Sequence, residues 1–188
     1  ASIGTGHVSA AEALCQAYRE QYGGEVQHVD FLRYVSPRLS TLVEQAYYLM
    51  TKRVPSLYKF IYQLEDRPPA LSQKLDGFIG ASKYADLIRG FQPDAIISTH
   101  FLPAAVVSYM YKRFPIPNGV VLTDYVPHRL WIYPHNQLLF VAHPQMKETL
   151  QKLGVAPARV KVTGIPARPA FQQKLNQDEM REKLLVPV

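Results

Sequence analysis

Four of the six histidines stand just behind apolar runs or in a glycine-rich turn: His7 in GTGH (4–7), His100 in STHFLP (98–103), His128 in DYVPHRLW (124–131) and His143 in VAHP (141–144). An imidazole titrates near neutrality, so each can accept or position a hydroxyl proton. Asp124 opens the third stretch. A carboxylate there serves as a base, orients a histidine, or caps a turn. Gly4, Thr5 and Gly6 precede a helical pattern. Glycines admit a ligand close to backbone N–H groups, and the following helix N-terminus favours negative charge. The stretch departs from a dinucleotide fingerprint, because Ser9 stands where the third glycine belongs. A plain strand-to-helix turn is the alternative for 4–7, loop packing for His128 and Trp131, and a structural turn for His100. No HExxH or similar spacing points to zinc.

These residues need a scaffold that delivers them to one place. Val8, Ala11, Leu14, Cys15, Tyr18 and Tyr22 recur at helical spacing, and Gly23-Gly24 ends the pattern. Cys15 is expected to be a buried, small apolar residue. EVQHVDFL (25–32) alternates and is expected to be a strand. Helices are expected over 37–51, 55–64, 69–89, 103–113 and 144–153, with breaks at the prolines. PDAIIST (93–99), GVVLTD (119–124), QLLFVA (137–142) and 160–163 read as short buried strands. Strands alternating with helices imply an α/β fold, a Rossmann-like parallel sheet flanked by helices. In such sheets ligands sit at the carboxyl ends of the strands, where the histidines and Asp124 fall. The glycine loop opens the chain where a strand is expected before it, and the sequence after 165 reads as a linker and a short helix.

The chain has 188 residues, a hydrophobic fraction of 47% and a charged fraction of 19%, the composition of a folded domain. A single cysteine excludes a disulfide framework and a cysteine metal cluster. No apolar run reaches the roughly 18 residues that span a bilayer. The net charge of +6 suits an anionic partner. Nucleic acid is not expected as that partner, since the basic residues are dispersed and no nucleic-acid-binding motif is present.

GTGHVSAAEAL, PDAIISTH, VVLTDYVPHRLW, FVAHPQMKETLQKLGV and RVKVTGIPARPAF occur in this order. Together they resemble the amino-terminal domain of the monogalactosyldiacylglycerol synthases and processive diacylglycerol glucosyltransferases, over residues 1 to about 175. The resemblance implies one half of a GT-B glycosyltransferase, with residues 1–165 as the acceptor domain and 166–188 leading into a UDP-sugar domain. It implies inverting transfer of a hexose from a UDP-sugar, as co-substrate, to diacylglycerol or a glycolipid. No cofactor and no metal are expected. His7 and Asp124 are the implied catalytic residues, and Gly4, Thr5, Gly6, His100, His128 and Trp131 the implied acceptor-binding set. The implied setting is the cytoplasmic face of a membrane, bacterial rather than plastid. The competing readings are a lipid-binding module without catalysis, or another GT-B enzyme such as a peptidoglycan-precursor transferase or a sugar-nucleotide epimerase.

One further stretch bears on the membrane. SPRLSTLVEQAYYLMTKRVPSLYKFIYQL (36–64) carries Arg38, Lys52, Arg53 and Lys59 against Glu44 alone. Cations mixed with tyrosines suit an anionic headgroup layer. Lys52, Arg53, Tyr58, Lys59 and Tyr62 are the expected membrane contacts, and a pair of core helices with a solvated rim is the alternative.

Overall fold

The computed structural model describes residues 5–53, 80–172 and 176–184. Its centre is a four-stranded, all-parallel sheet in the order β1 (Ile96–Ser98), β2 (Asn118–Val121), β3 (Leu138–Val141), β4 (Val160–Val162). The pairing is in simple sequence order: Ile97 lies beside Gly119, Val120 beside Leu139, and Phe140 beside Lys161. β2 is buried at every position, as a central strand covered on both faces must be. The expected α/β architecture, Rossmann-like with helices against a parallel sheet, is the observed one.

The helices among the described residues are α1 (Thr5–Tyr22), α2 (Phe31–Val35), α3 (Pro37–Arg53), α4 (Ala81–Phe91), α5 (Phe101–Met110), α6 (Pro144–Lys152) and α7 (Gln177–Lys183). α1 stops where Gly23 takes a φ of +62° and returns its N–H to the carbonyl of Arg19, a left-handed cap that glycine adopts without strain. α5 is apolar nearly all round because it is sandwiched. Ala104 and Ala105 pack with Val120, Leu139, Trp131 and Met146 on one side. Val106, Val107 and Met110 pack with Phe31, Tyr84 and Ile88 on the other. Burying a helix on two faces couples both apolar clusters to the sheet, at roughly 1.5–3 kcal/mol per large side chain.

Three expectations change. The helix begins at Thr5, so Gly6 and His7 lie in its first turn rather than in a loop ahead of it. Segment 25–32 is not a strand: 23–30 run as irregular backbone, and α2 starts at Phe31 behind an Asp30 whose carboxylate caps the Arg33 N–H. Alternation alone suits any extended chain, and a strand also needs a ladder partner, which 25–30 lack among the described strands. Cys15 is half-buried rather than fully packed away. The expected helix 55–64 and most of 69–89 lie outside the described residues, as do Tyr58, Lys59 and Tyr62.

β1 and β2 are joined through α5, and β3 and β4 through α6. β2 and β3 are joined differently. Residues 122–137 form no α-helix and contain a single 3-10 turn at Arg129–Trp131. This irregular connection is pinned at its far end, where one Arg159 guanidinium nitrogen donates to the carbonyls of both Tyr133 and Asn136. Beyond β4 the chain passes a 3-10 turn at Pro169–Gln172 and returns to α1, where Arg168 Nη2 reaches Ser9 Oγ at 3.3 Å.

Candidate active site at the carboxyl ends of the strands

The first turn of α1 lies across the ends of β1 and β2. His7 Nδ1 is 2.8 Å from the carbonyl oxygen of Thr99, at the end of β1, and 2.6 Å from Thr123 Oγ1, at the end of β2. Thr99 Oγ1 donates back to the His7 carbonyl at 2.9 Å. A helix start is thus tied to two strands by three polar contacts, and the imidazole cannot swing away. Thr99 and Thr123 are site residues the sequence reading did not single out. Their signal was present in the TH and TD pairs, where a small hydroxyl stands directly before a chemical residue at a strand end.

His100 follows Thr99 and caps α5. Its Nδ1 accepts the Leu102 N–H at 3.1 Å, and its ring stacks on Phe101 with centroids 4.3 Å apart. The side chain is 3% exposed. Its ring meets His7 edge-on with centroids 4.7 Å apart. Burial, reinforced by His7, pushes the His100 pKa down to about 3. Burial also lowers His7 below the ordinary histidine value, against the opposing pull of the Thr99 carbonyl and the Asp124 charge. Both rings are therefore neutral at neutral pH.

Asp124 stands beyond Thr123 and faces the same cluster. Trp131 donates its indole N–H to Asp124 Oδ2 at 3.1 Å, and His128 Nε2 lies 3.6 Å from the same oxygen. His128, four residues along, is the main influence that holds the Asp124 carboxyl below its usual range; His7 and Trp131 add to it, and burial opposes. Trp131 is fully buried and its ring lies 6.1 Å from that of His7. Its polar edge therefore works on Asp124, while its body fills the core against Leu139 and Val141.

The structure gathers His7, His100, Asp124, His128 and Trp131 around one sheet edge, with Thr5 and Gly6 exposed beside them. Gly4 lies outside the described residues. His143 is not part of this cluster; it precedes α6 and stacks on the exposed Tyr125 with centroids 6.0 Å apart. Of the expected membrane contacts, Lys52 is exposed on α3 and Arg53 ends that helix. Lys52 Nζ holds the Tyr48 hydroxyl at 2.7 Å. Among the described residues, no three His, Cys, Asp or Glu side chains are grouped to hold a metal ion. No described helix is long and apolar enough to cross a membrane.

An ionised carboxylate beside two neutral imidazoles, at the strand ends of a parallel Rossmann-like sheet, has the groups needed to accept and steady a hydroxyl proton. The sequence profile of monogalactosyldiacylglycerol (MGDG) synthase matches residues 7–167, and the chain belongs to that family. It is 29% identical over 187 residues to the processive diacylglycerol beta-glucosyltransferase of Bacillus licheniformis, covering 97% of this chain and 48% of the relative. A protein of the same description from Staphylococcus aureus strain MRSA252 is 28% identical over 183 residues, covering 95% of this chain and 46% of the relative. The chain spans about half the length of these relatives.

Proposed function

We propose that this chain is the acceptor half of an inverting GT-B hexosyltransferase, which moves a sugar from a UDP-sugar to the free hydroxyl of diacylglycerol or a glycolipid. The observation that carries the reading is the convergence of neutral His7 with ionised Asp124 at the strand ends. His7 Nδ1 faces the Thr99 carbonyl, which can only accept, so the proton of the neutral ring sits on Nδ1 and the lone pair on Nε2. In the reaction the acceptor O–H gives its proton to His7 Nε2 as its oxygen attacks the anomeric carbon. The new O–C bond forms while the bond to the nucleoside diphosphate breaks, and the leaving group takes the electron pair. Asp124 offsets the imidazolium charge that develops on His7, and His128 and Trp131 keep that carboxylate ionised.

In this reading residues 1–165 hold the acceptor and 166–188 lead to a domain that holds most of the UDP-sugar. No cofactor and no metal take part. The exposed Leu42, Tyr48 and Leu49 on α3, with Lys52 beside them, meet the anionic cytoplasmic surface of a bacterial membrane.

The test is hexose transfer by the full-length protein to diacylglycerol, with UDP-glucose and UDP-galactose offered in turn. His7→Gln and Asp124→Asn are each expected to lower kcat by roughly 10²–10⁴-fold. Full activity in His7→Gln would remove that residue as the base.

A further inference from the structure

We propose that His100 donates a hydrogen bond from Nε2 to the oxygen of the attacking hydroxyl, so that His7 and His100 grip one O–H group as a matched acceptor and donor. The inference rests on the reading just given and adds a residue that determines which acceptors bind.

The two rings have opposite proton placements, and each placement is dictated by a backbone partner of fixed character. Leu102 N–H can only donate, so His100 Nδ1 carries the lone pair, and the proton of the neutral ring must sit on Nε2. The Thr99 carbonyl can only accept, so His7 Nδ1 carries the proton and Nε2 the lone pair. Thr123 Oγ1, 2.6 Å from the same His7 Nδ1, crowds that nitrogen from a second side and fixes the ring's orientation. Among the described residues neither Nε2 has a hydrogen-bond partner, and neither is sealed from solvent. The rings are neighbours, edge to face, with centroids 4.7 Å apart.

A hydroxyl is a donor and an acceptor on one atom. It fits such a pair with its hydrogen toward His7 and its oxygen lone pair toward His100. Capping α5 accounts for Nδ1 of His100 and leaves the Nε2 donor available to a group that enters beside His7. As the acceptor loses its proton to His7, the bond from His100 Nε2 strengthens, because charge builds on the oxygen it holds. His100 keeps its own proton throughout. The Asp124 carboxylate accepts only, from Trp131, and does not compete for the acceptor oxygen.

The test compares two lipid probes in the full-length protein: diacylglycerol, and the deoxy analogue in which hydrogen replaces the free hydroxyl. Binding of each is read by competitive inhibition of transfer, or by vesicle co-sedimentation where a variant turns over too slowly. The unaltered protein is expected to bind the hydroxyl form about tenfold more tightly, the scale of net hydrogen-bond contributions. His100→Asn keeps an acceptor for the Leu102 N–H but removes the donor at Nε2, and is expected to lower the preference severalfold, leaving only the part that His7 supplies. His100 carrying a methyl group on Nε2 keeps the ring and the cap as well, and decides the matter if His100→Asn does not fold. An undiminished hydroxyl preference in a folded variant of either kind overturns the inference. His7→Gln reports separately: full turnover there defeats the base assignment, while the loss of preference at His100 still reads the contact.

Discussion

Protonating His100 is costly in this fold, and acid should expose that cost. In an unfolded chain the ring titrates near 6.5, whereas in the folded chain its pKa falls to about 3. Between those values the unfolded state binds the extra proton, so stability falls as pH drops. From pH 6.5 to pH 5 the loss from this one residue is about 2 kcal/mol, at about 1.4 kcal/mol per pH unit. His7 is also depressed and adds to the loss in the same window. Asp124 does not, because its lowered pKa contributes stability that is kept until pH falls below about 3.8. His100→Asn isolates the term: it keeps a good helix cap and cannot become charged. Urea unfolding at pH 7 and pH 5 measures the difference, followed by fluorescence of the chain's single tryptophan, Trp131, which is buried beside the site. The variant is expected to be the less stable at pH 7, having lost the ring stacked on Phe101. Between pH 7 and pH 5, however, it should lose about 2 kcal/mol less than the unaltered chain. Equal losses in the two proteins would refute the argument that burial keeps this imidazole neutral.

Two further substitutions probe the frame. A Cβ on Gly119 would lie 2.7 Å from Phe140 Cε2 and 3.2 Å from Ile97 Cδ1, so Gly119→Ala should cost about 1–3 kcal/mol in the urea midpoint; an unchanged midpoint would mean the Phe140 ring yields freely. Trp131→Phe removes the N–H that Asp124 accepts and leaves a void in the core, for a loss of about 1–3 kcal/mol. In that variant the Asp124 carboxyl should titrate higher in NMR, nearer 3.8, and its stability deficit should shrink as pH falls through that value; a pH-independent deficit would show the indole to be packing alone.

The parallel sheet was legible because each strand is a compact apolar run between polar breaks, the pattern of strands covered on both faces. The positions of His100, His128 and Asp124 were legible for the same reason, since the ends of those runs mark one edge, whereas His143, behind β3, stands apart from the cluster. Segment 25–32 misled because side-chain alternation reports which way residues point and says nothing about whether a neighbouring strand is there to bond. The start of α1 was misplaced by the glycines, whose permissive backbone suits a turn and is equally tolerated in a first helical turn. Thr99 and Thr123 escaped notice because their contacts with His7 join residues about a hundred positions apart, and no local spacing encodes that.

The link between β2 and β3 has a consequence for how this domain can change. Its inner residues, Trp131 and Tyr133, are fixed in the interior, and Arg159 fastens its exit from a distance. Its tip, Tyr125 and Val126, stands 70% and 66% exposed directly after Asp124. Anchoring and exposure are thus assigned to different stretches of one segment. Substitutions at the tip can therefore reshape the surface beside the carboxylate while the buried stretch that fixes Asp124 is left intact.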